Sequence, residues 1–175
     1  GLTNTQRRTT IENDEFRKVV YSLTSHPIFE KVLSPAQRKK DLDRDMIRQT
    51  LMLISTDKEH DYTSFRNADI NNFITLYQEN IDMSKIDTLK TALDNLDKNF
   101  EELKINSTSI PMIFFASYRV MKDKKSFAKL AVKIKEFIKT YDTNEEYKQY
   151  CTQGTGASVN VRGRLDYWRS IVREL

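Results

Sequence analysis

The sequence predicts an all-α protein folded as a single helical bundle of roughly eight helices. Apolar residues recur at intervals of three and four along most of the chain, which is the period of one helix face. Serine, threonine and proline stand where helices begin, in positions typical of a first turn. Only residues 158–161 resemble extended structure, so no sheet is expected. The length of 175 residues fits one domain.

The first half of the chain contains four of the expected helices. One opens with capping-box spacing at Thr9 and Glu12 and ends before Pro27, because the residue preceding a proline is pushed out of the helical region. A second begins at Ser34–Pro35, where serine caps the helix and proline takes its first position. The following segments are a helix over 41–54, a polar loop over 55–64 and a helix over 68–79.

The longest expected helix opens at Ser84 and carries a heptad seam. Its apolar positions are Ile86, Leu89, Leu93, Leu96, Phe100 and Leu103. The seam fits either an antiparallel contact inside the bundle or a coiled-coil dimer. Fewer than three heptads is short for a free coiled coil, which favours the bundle.

The second half opens with a helix that is apolar nearly all round. It starts at Ile110–Pro111, and a helix without a polar face is normally the buried centre of its domain. We therefore expect burial of Ile113, Phe114, Phe115 and Tyr118. A helix from Phe127 and capping-box spacing at Thr143 follow. After a glycine-bearing loop over 152–160, a last helix carries Leu165, Trp168, Val172 and Leu175.

The composition excludes several classes of protein. It is 38% hydrophobic and 31% charged with few glycines and prolines, unlike fibrous or disordered chains. The longest uncharged run, Ile105–Tyr118, has 14 residues, fewer than the roughly 20 of a membrane helix. One cysteine and two histidines predict no disulfide, no metal site and no cofactor. We expect a cytoplasmic protein with no membrane partner.

Charge is unevenly distributed along the chain. Residues 57–102 hold eleven acidic and five basic side chains. Residues 119–139 hold eight basic and two acidic ones, and residues 148–175 hold five and two. The basic excess in the C-terminal half directs the search for a nucleic-acid or anion site to that half.

The first candidate site is a lysine stripe. Lys122, Lys125, Lys129 and Lys133 follow one another at spacings of four and three, which would place them on one face of a helix. Such a stripe could follow a phosphate backbone. The alternative is the solvated outer face of an amphipathic helix, which the absence of interleaved aromatic residues favours.

The second candidate is a glycine–arginine run. Gly154, Thr155 and Gly156 form a segment whose backbone N–H groups could turn towards an anion, ahead of a helix N-terminus. Arg162 and Arg164 could then clamp a phosphate. The alternative is a tight connector whose arginines pair with nearby acids.

The last helix supplies a third candidate. Arg162, Arg169 and Arg173 share one of its faces, with Asp166 among them. The face could contact nucleic acid, or it could be solvated and self-paired, and the second interpretation is favoured.

Three segments, taken in order, resemble a known family. They are Leu2–Arg8, then His26–Leu33 with Asp43–Ile47, and then Gly154–Gly156 with Arg162–Leu165. Their order and spacing are similar to the helical part that follows the ParB-like domain in GmrSD-type restriction proteins and their phage and bacterial relatives. The resemblance implies an accessory helical domain of a DNA-targeting or phage-defence protein.

The family's chemistry falls on no residue of this chain. Its Asp-Gly-Gln-Gln-Arg motif, associated with nucleotide-dependent nuclease or defence activity, is absent from the sequence, as is a His-Asn-His nuclease module. The resemblance therefore implies a non-enzymatic chain whose first partner is its own N-terminal ParB-like domain. Residues 1–10 would connect to that domain, and residues 11–175 would form the helical domain.

Two functions from different classes remain. The first is non-catalytic support of the ParB-like domain combined with contact to DNA. The second is a purely structural or oligomerising protein-interaction bundle with no nucleic-acid contact. Convergence of the predicted lysines and arginines on one face would favour the first, and their scattering or pairing with acids would favour the second.

Overall fold

Eleven α-helices and two 3-10 turns make up the secondary structure, and there is no strand. The computed structural model describes all 175 residues. The helices are α1 Asn4–Arg8, α2 Asp14–Thr24, α3 Ile28–Val32, α4 Pro35–Lys39, α5 Leu42–Ser55, α6 Asn67–Tyr77, α7 Met83–Asn99, α8 Ile110–Lys122, α9 Phe127–Thr140, α10 Glu145–Lys148 and α11 Ser158–Arg173. The 3-10 turns are Ser107–Ser109 and Tyr141–Thr143. No helix combines the length and apolar character needed to cross a membrane.

The predicted all-α class is confirmed, and the number of eight helices is wrong. Helices α1, α3, α4 and α10 have only four or five residues each. Segments this short cannot display the helical period. The starts at Ser34–Pro35 and near Thr143 are therefore predicted from capping residues alone, and α1 and α3 are not predicted. Residues 158–161, the only segment whose sequence resembles extended structure, form the first turn of α11.

Helix α8 is the centre of the bundle. It packs against α5, α7, α9 and α11, and ten of its thirteen residues are buried. The expected burial of Ile113, Phe114, Phe115 and Tyr118 is confirmed. A helix surrounded by four others needs apolar side chains on every side, which explains the absence of a polar face.

The heptad seam is buried inside the chain. All six of its side chains belong to the hydrophobic core, and α7 packs along α8. Helix α7 ends at Asn99, so Phe100 and Leu103 enter the core from the segment after it. The Nζ of Lys31 donates hydrogen bonds to the carbonyls of Asp97 and Phe100, both at 2.8 Å, and so caps the end of α7. Packing within one chain accounts for the seam without a coiled-coil partner.

A buried ionic network holds α1 and the start of α2 against α5. Arg48 donates two hydrogen bonds of 2.9 Å to the carboxylate of Glu12, and both side chains are at most 1% exposed. Arg48 and Arg8 also share Asp45, at 3.2 and 2.8 Å. Arg8 donates a further hydrogen bond of 2.7 Å to Asn67. Residues 1–10, predicted to be a connector, thus include a helix whose Arg8 is anchored in the bundle.

Glu12 does not cap a helix as predicted but pairs with Arg48. The expected capping box at Thr9 and Glu12 does not form, because α2 begins later and is capped by Asn13. The Oδ1 of Asn13 accepts a hydrogen bond of 2.8 Å from the N–H of Phe16. The carboxylate of Glu12 points inward to Arg48 instead.

Tyr77, at the end of α6, makes the stability of the folded protein depend on pH in the alkaline range. Its hydroxyl is buried beside a small cavity with no hydrogen-bond partner, and burial raises the pKa of Tyr77 to about 12. An unfolded tyrosine ionises near pH 10. The contribution of un-ionised Tyr77 to the free energy of unfolding is therefore complete below about pH 10 and is lost as the pH rises through about 12, by at most about 3 kcal/mol.

We expect Tyr77→Phe to lose less stability than the parent protein between pH 9 and pH 11. The variant keeps the ring and has no proton to release, and it should be nearly as stable at pH 7 because the hydroxyl has no partner to lose. Urea unfolding at each pH measures the difference. Tyr21→Phe is the control, because Tyr21 is 69% exposed. If the free energy of unfolding changes equally with pH in Tyr77→Phe and in the parent protein, Tyr77 is not the cause of the pH dependence.

Candidate anion-binding cleft

The glycine loop of the predicted anion site packs against another loop. The backbone N–H of Phe65 donates to the carbonyl of Gly156 at 2.9 Å, and a Cβ at position 156 would lie 3.2 Å from the carbonyl oxygen of Phe65. Gly154 has a φ of +55°, which glycine adopts without strain. The two glycines therefore allow a turn and a close approach inside the protein.

Arg164 is buried and holds the glycine loop through hydrogen bonds to backbone carbonyls. Its side chain is only 2% exposed, and its two Nη atoms donate to the carbonyls of Tyr150 and Thr155 at 2.6 and 2.8 Å. No carboxylate pairs with it, and burial lowers the pKa of Arg164. A Cβ at Gly163 would lie 2.4 Å from the ring of Tyr150, so α11 passes this residue without space for a side chain. The predicted contact of Arg164 with an anion gains no support from this geometry.

Arg162 joins α11 to the segment between α5 and α6. Its guanidinium forms an ion pair with Asp61, and its Nε donates to the hydroxyl of Thr63 at 3.1 Å. Hydrogen bonding from Thr63 and then from Arg162 lowers the pKa of Asp61. Asp61 lies 101 residues from Arg162 in sequence. The arginines of the glycine–arginine run thus follow the alternative interpretation, that of an internally bonded connector.

The lysine stripe is divided between two helices, so its prediction as one helix face is wrong. Lys122 ends α8, Lys125 lies in the turn, and Lys129 and Lys133 belong to α9. The chain reverses at Lys124, which takes a left-handed φ of +54°. No glycine or proline marks this turn, but the separate helix expected from Phe127 already begins after Lys122 and Lys125.

A cleft of about 550 Å³ brings together basic residues from four parts of the chain. Arg169 and Arg173 come from α11, Arg119 from α8, Lys125 from the turn after it and Lys58 from the segment after α5. Two acidic side chains, Asp57 and Asp123, also line the cleft. The positive charge exceeds the negative by three, which favours an anionic ligand.

Arg169 is held in place from two sides. Its Cζ lies 6.0 Å from the centroid of the Phe115 ring, which is within the range of a cation–π contact. Its Nη1 lies 3.3 Å from the carboxylate of Asp166, one turn earlier on α11. These contacts orient the guanidinium towards the cleft.

The remaining cations of the cleft differ in whether they already form ion pairs or hydrogen bonds within the protein. Arg119 pairs with Asp123 at 3.1 Å, and the Nζ of Lys125 donates to the carbonyl of Val172 at 2.7 Å. Lys125 thereby complements the negative end of α11. Lys58 and Arg173 form no ion pair and are exposed. They are the cations with the most capacity for a ligand.

Of the basic residues predicted from sequence, Lys125, Arg169 and Arg173 line this cleft. Lys58 and Arg119, which the sequence does not predict, complete it. Arg119 could have been found, because it follows nine uncharged residues of helix α8 and marks the point where that helix reaches the surface. Lys58 lies in a polar loop and carries no such signal.

The histidines and Cys151 stand outside the cleft. His26 accepts a hydrogen bond from the N–H of Ile28 and contacts Asp94 at 2.7 Å, and His60 contacts Asp57. No three His, Cys, Asp or Glu side chains come together as metal ligands. The cleft is the pocket in which basic residues predicted from the sequence, Lys125, Arg169 and Arg173, come together.

No family model, curated protein or solved structure matches the chain.

Proposed function

We propose that the chain is a non-catalytic helical domain of a DNA-targeting or phage-defence protein. In this proposal it packs against a ParB-like domain and contacts nucleic-acid phosphates through the basic cleft. The observation that carries the nucleic-acid contact is the convergence of five basic side chains from four parts of the chain on one concave surface. The ordered resemblance to GmrSD-type proteins supports the choice of DNA and of the ParB-like partner.

The lining of the cleft favours phosphate contact over the recognition of bases. Asn and Gln, which pair with adenine through two hydrogen bonds, are absent from it, and its polar side chains are mainly Lys and Arg. Phosphate contacts position a protein on nucleic acid without reading sequence. We therefore expect weak binding that is independent of sequence and sensitive to salt.

Fluorescence anisotropy with a labelled single-stranded oligonucleotide tests this contact. If three phosphates are neutralised, affinity should fall about 20-fold as salt rises from about 50 to about 200 mM, because bound counterions are released on binding. Oligonucleotides of different sequence should bind alike. Salt-insensitive binding would show that contacts other than these charges are responsible.

Matched triple variants locate the binding surface. Arg119→Gln, Arg169→Gln and Arg173→Gln remove three charges from the cleft, and Lys129→Gln, Lys133→Gln and Lys139→Gln remove three from α9, which does not line it. The first set should abolish most of the binding and the second should weaken it slightly. Circular dichroism checks that both variants remain helical. Equal losses would place the contact outside the cleft.

The nucleotide sequence of the gene tests the proposed ParB-like partner. We expect the reading frame preceding this sequence to encode an Asp-Gly-Gln-Gln-Arg motif. A frame without that motif would contradict the proposed partner.

The second candidate function is a structural or oligomerising bundle with no nucleic-acid contact. Its supporting observation is that the predicted cations do not all converge on one face. Lys129 and Lys133 lie outside the cleft, Arg162 pairs with Asp61, and Arg164 holds the glycine loop. Absence of oligonucleotide binding even at low salt would decide for this function. Sedimentation analysis would then distinguish a structural monomer from an oligomer.

A further inference from the structure

The basic side chains form a pocket and not a track along the surface. Lys129 and Lys133, which would have extended the positive charge, belong to α9 and do not line the cleft. Arg162 and Arg164 are bonded to other parts of the protein. A volume of about 550 Å³ falls within the roughly 300–1,000 Å³ of pockets that enclose small ligands.

The charge pattern of the pocket suits a compact anion better than a continuing strand. Arg119, Arg169 and Arg173 offer guanidinium groups, which bind phosphate oxygens through paired hydrogen bonds. Asp57 and Asp123 line the same cleft, and they would repel the further phosphates of a strand passing through it. A compact anion can place its whole charge beside the arginines, so its electrostatic attraction to the cleft is stronger than that of a continuing strand.

A terminal phosphate is such a ligand. A phosphate monoester carries a charge of about −1.5 to −2 near pH 7 and has three free acceptor oxygens. A phosphodiester within a strand carries one negative charge and has two free oxygens. Arg169 is fixed by Phe115 and Asp166, whereas Arg173 is exposed and without an ion pair, so one guanidinium is preorganised and another is available to close on the ligand.

We propose that the cleft binds a phosphate monoester, presented as the phosphorylated end of a nucleic-acid strand. This inference rests on the proposed function, because it specifies which phosphate of the nucleic acid the cleft takes. Arg169 and Arg173 bind the terminal oxygens, and the chain of nucleotides leaves through the mouth of the cleft. A free nucleotide shares the same chemistry and is distinguished in the experiment below.

The experiment compares two single-stranded oligonucleotides of identical sequence, one with a 5′-phosphate and one with a 5′-hydroxyl, both labelled at the 3′ end. Anisotropy should show binding of the phosphorylated strand to be about tenfold tighter, as expected for one additional charge-assisted contact. The preference should disappear in Arg169→Gln/Arg173→Gln. It should persist in Lys129→Gln/Lys133→Gln, which removes the same charge from α9.

Two further variants separate binding from folding and charge from geometry. Arg173→Gln alone changes an exposed side chain without an ion pair, so it should fold normally and still reduce the preference. Arg169→Lys/Arg173→Lys keeps the charge without the paired donors and should retain part of the preference. A preference unchanged in Arg173→Gln and in the double glutamine variant would overturn the proposal.

Competition with a nucleoside monophosphate identifies the source of the phosphate. Displacement at concentrations near the affinity of the phosphorylated strand would support a monoester that binds by itself, and displacement only at far higher concentrations would support a strand end. Equal affinity of the two oligonucleotides, with binding still lost in the cleft variants, would overturn this inference and leave the proposed function standing. If neither oligonucleotide binds, both this inference and the proposed function are overturned.

Discussion

Replacing Glu12 with alanine should lower the free energy of unfolding by about 3–5 kcal/mol, because it leaves the buried guanidinium of Arg48 without its bidentate partner. Arg48 is inaccessible to solvent, and its remaining carboxylate contact, Asp45, is shared with Arg8. Urea unfolding followed by circular dichroism measures the change.

The double variant Glu12→Leu/Arg48→Met should recover much of that loss, since replacing a buried ion pair by apolar side chains is often close to neutral. Glu136→Gln is the matched control, because it removes one acid from the exposed pair with Lys133 at 3.6 Å and should cost less than about 1 kcal/mol. A loss of that small size for Glu12→Ala would show that the network contributes little to the fold.

Truncating Phe114 to alanine should also cost about 3–5 kcal/mol. The side chain is fully buried on the central helix α8, and its ring meets the ring of Phe29 edge to face, with centroids 5.6 Å apart. Removal of the ring loses the transfer free energy of its carbon atoms and leaves a cavity that the surrounding helices cannot close fully. The same urea unfolding measurement applies.

A graded series tests whether packing is the cause. Phe114→Leu keeps most of the volume and should lose less stability than Phe114→Ala. Tyr21→Ala removes an aromatic ring that is 69% exposed and should change stability by less than about 0.5 kcal/mol. Equal effects of alanine at positions 114 and 21 would contradict the placement of α8 at the centre of the bundle.

The basic cleft could be predicted from the sequence only in part. The charge counts single out residues 119–139 and 148–175, which contain Arg119, Lys125, Arg169 and Arg173 of the cleft. Lys58 lies in the acidic part of the sequence, and no local pattern connects it with α11. A site formed by residues far apart in sequence depends on how the helices pack, and that packing cannot be derived from spacing along the chain.

The sequence by itself determines the helical class, the burial of α8 and the inward direction of the α7 seam. These properties follow from local chemistry, because the period of apolar residues decides which face of a helix leaves water. The tertiary structure alone decides the partners of the charged residues. Glu12 could cap a helix or meet Arg48, and Arg162 could bind an anion or meet Asp61. The distance between two charges sets their interaction, and only the packed helices determine that distance.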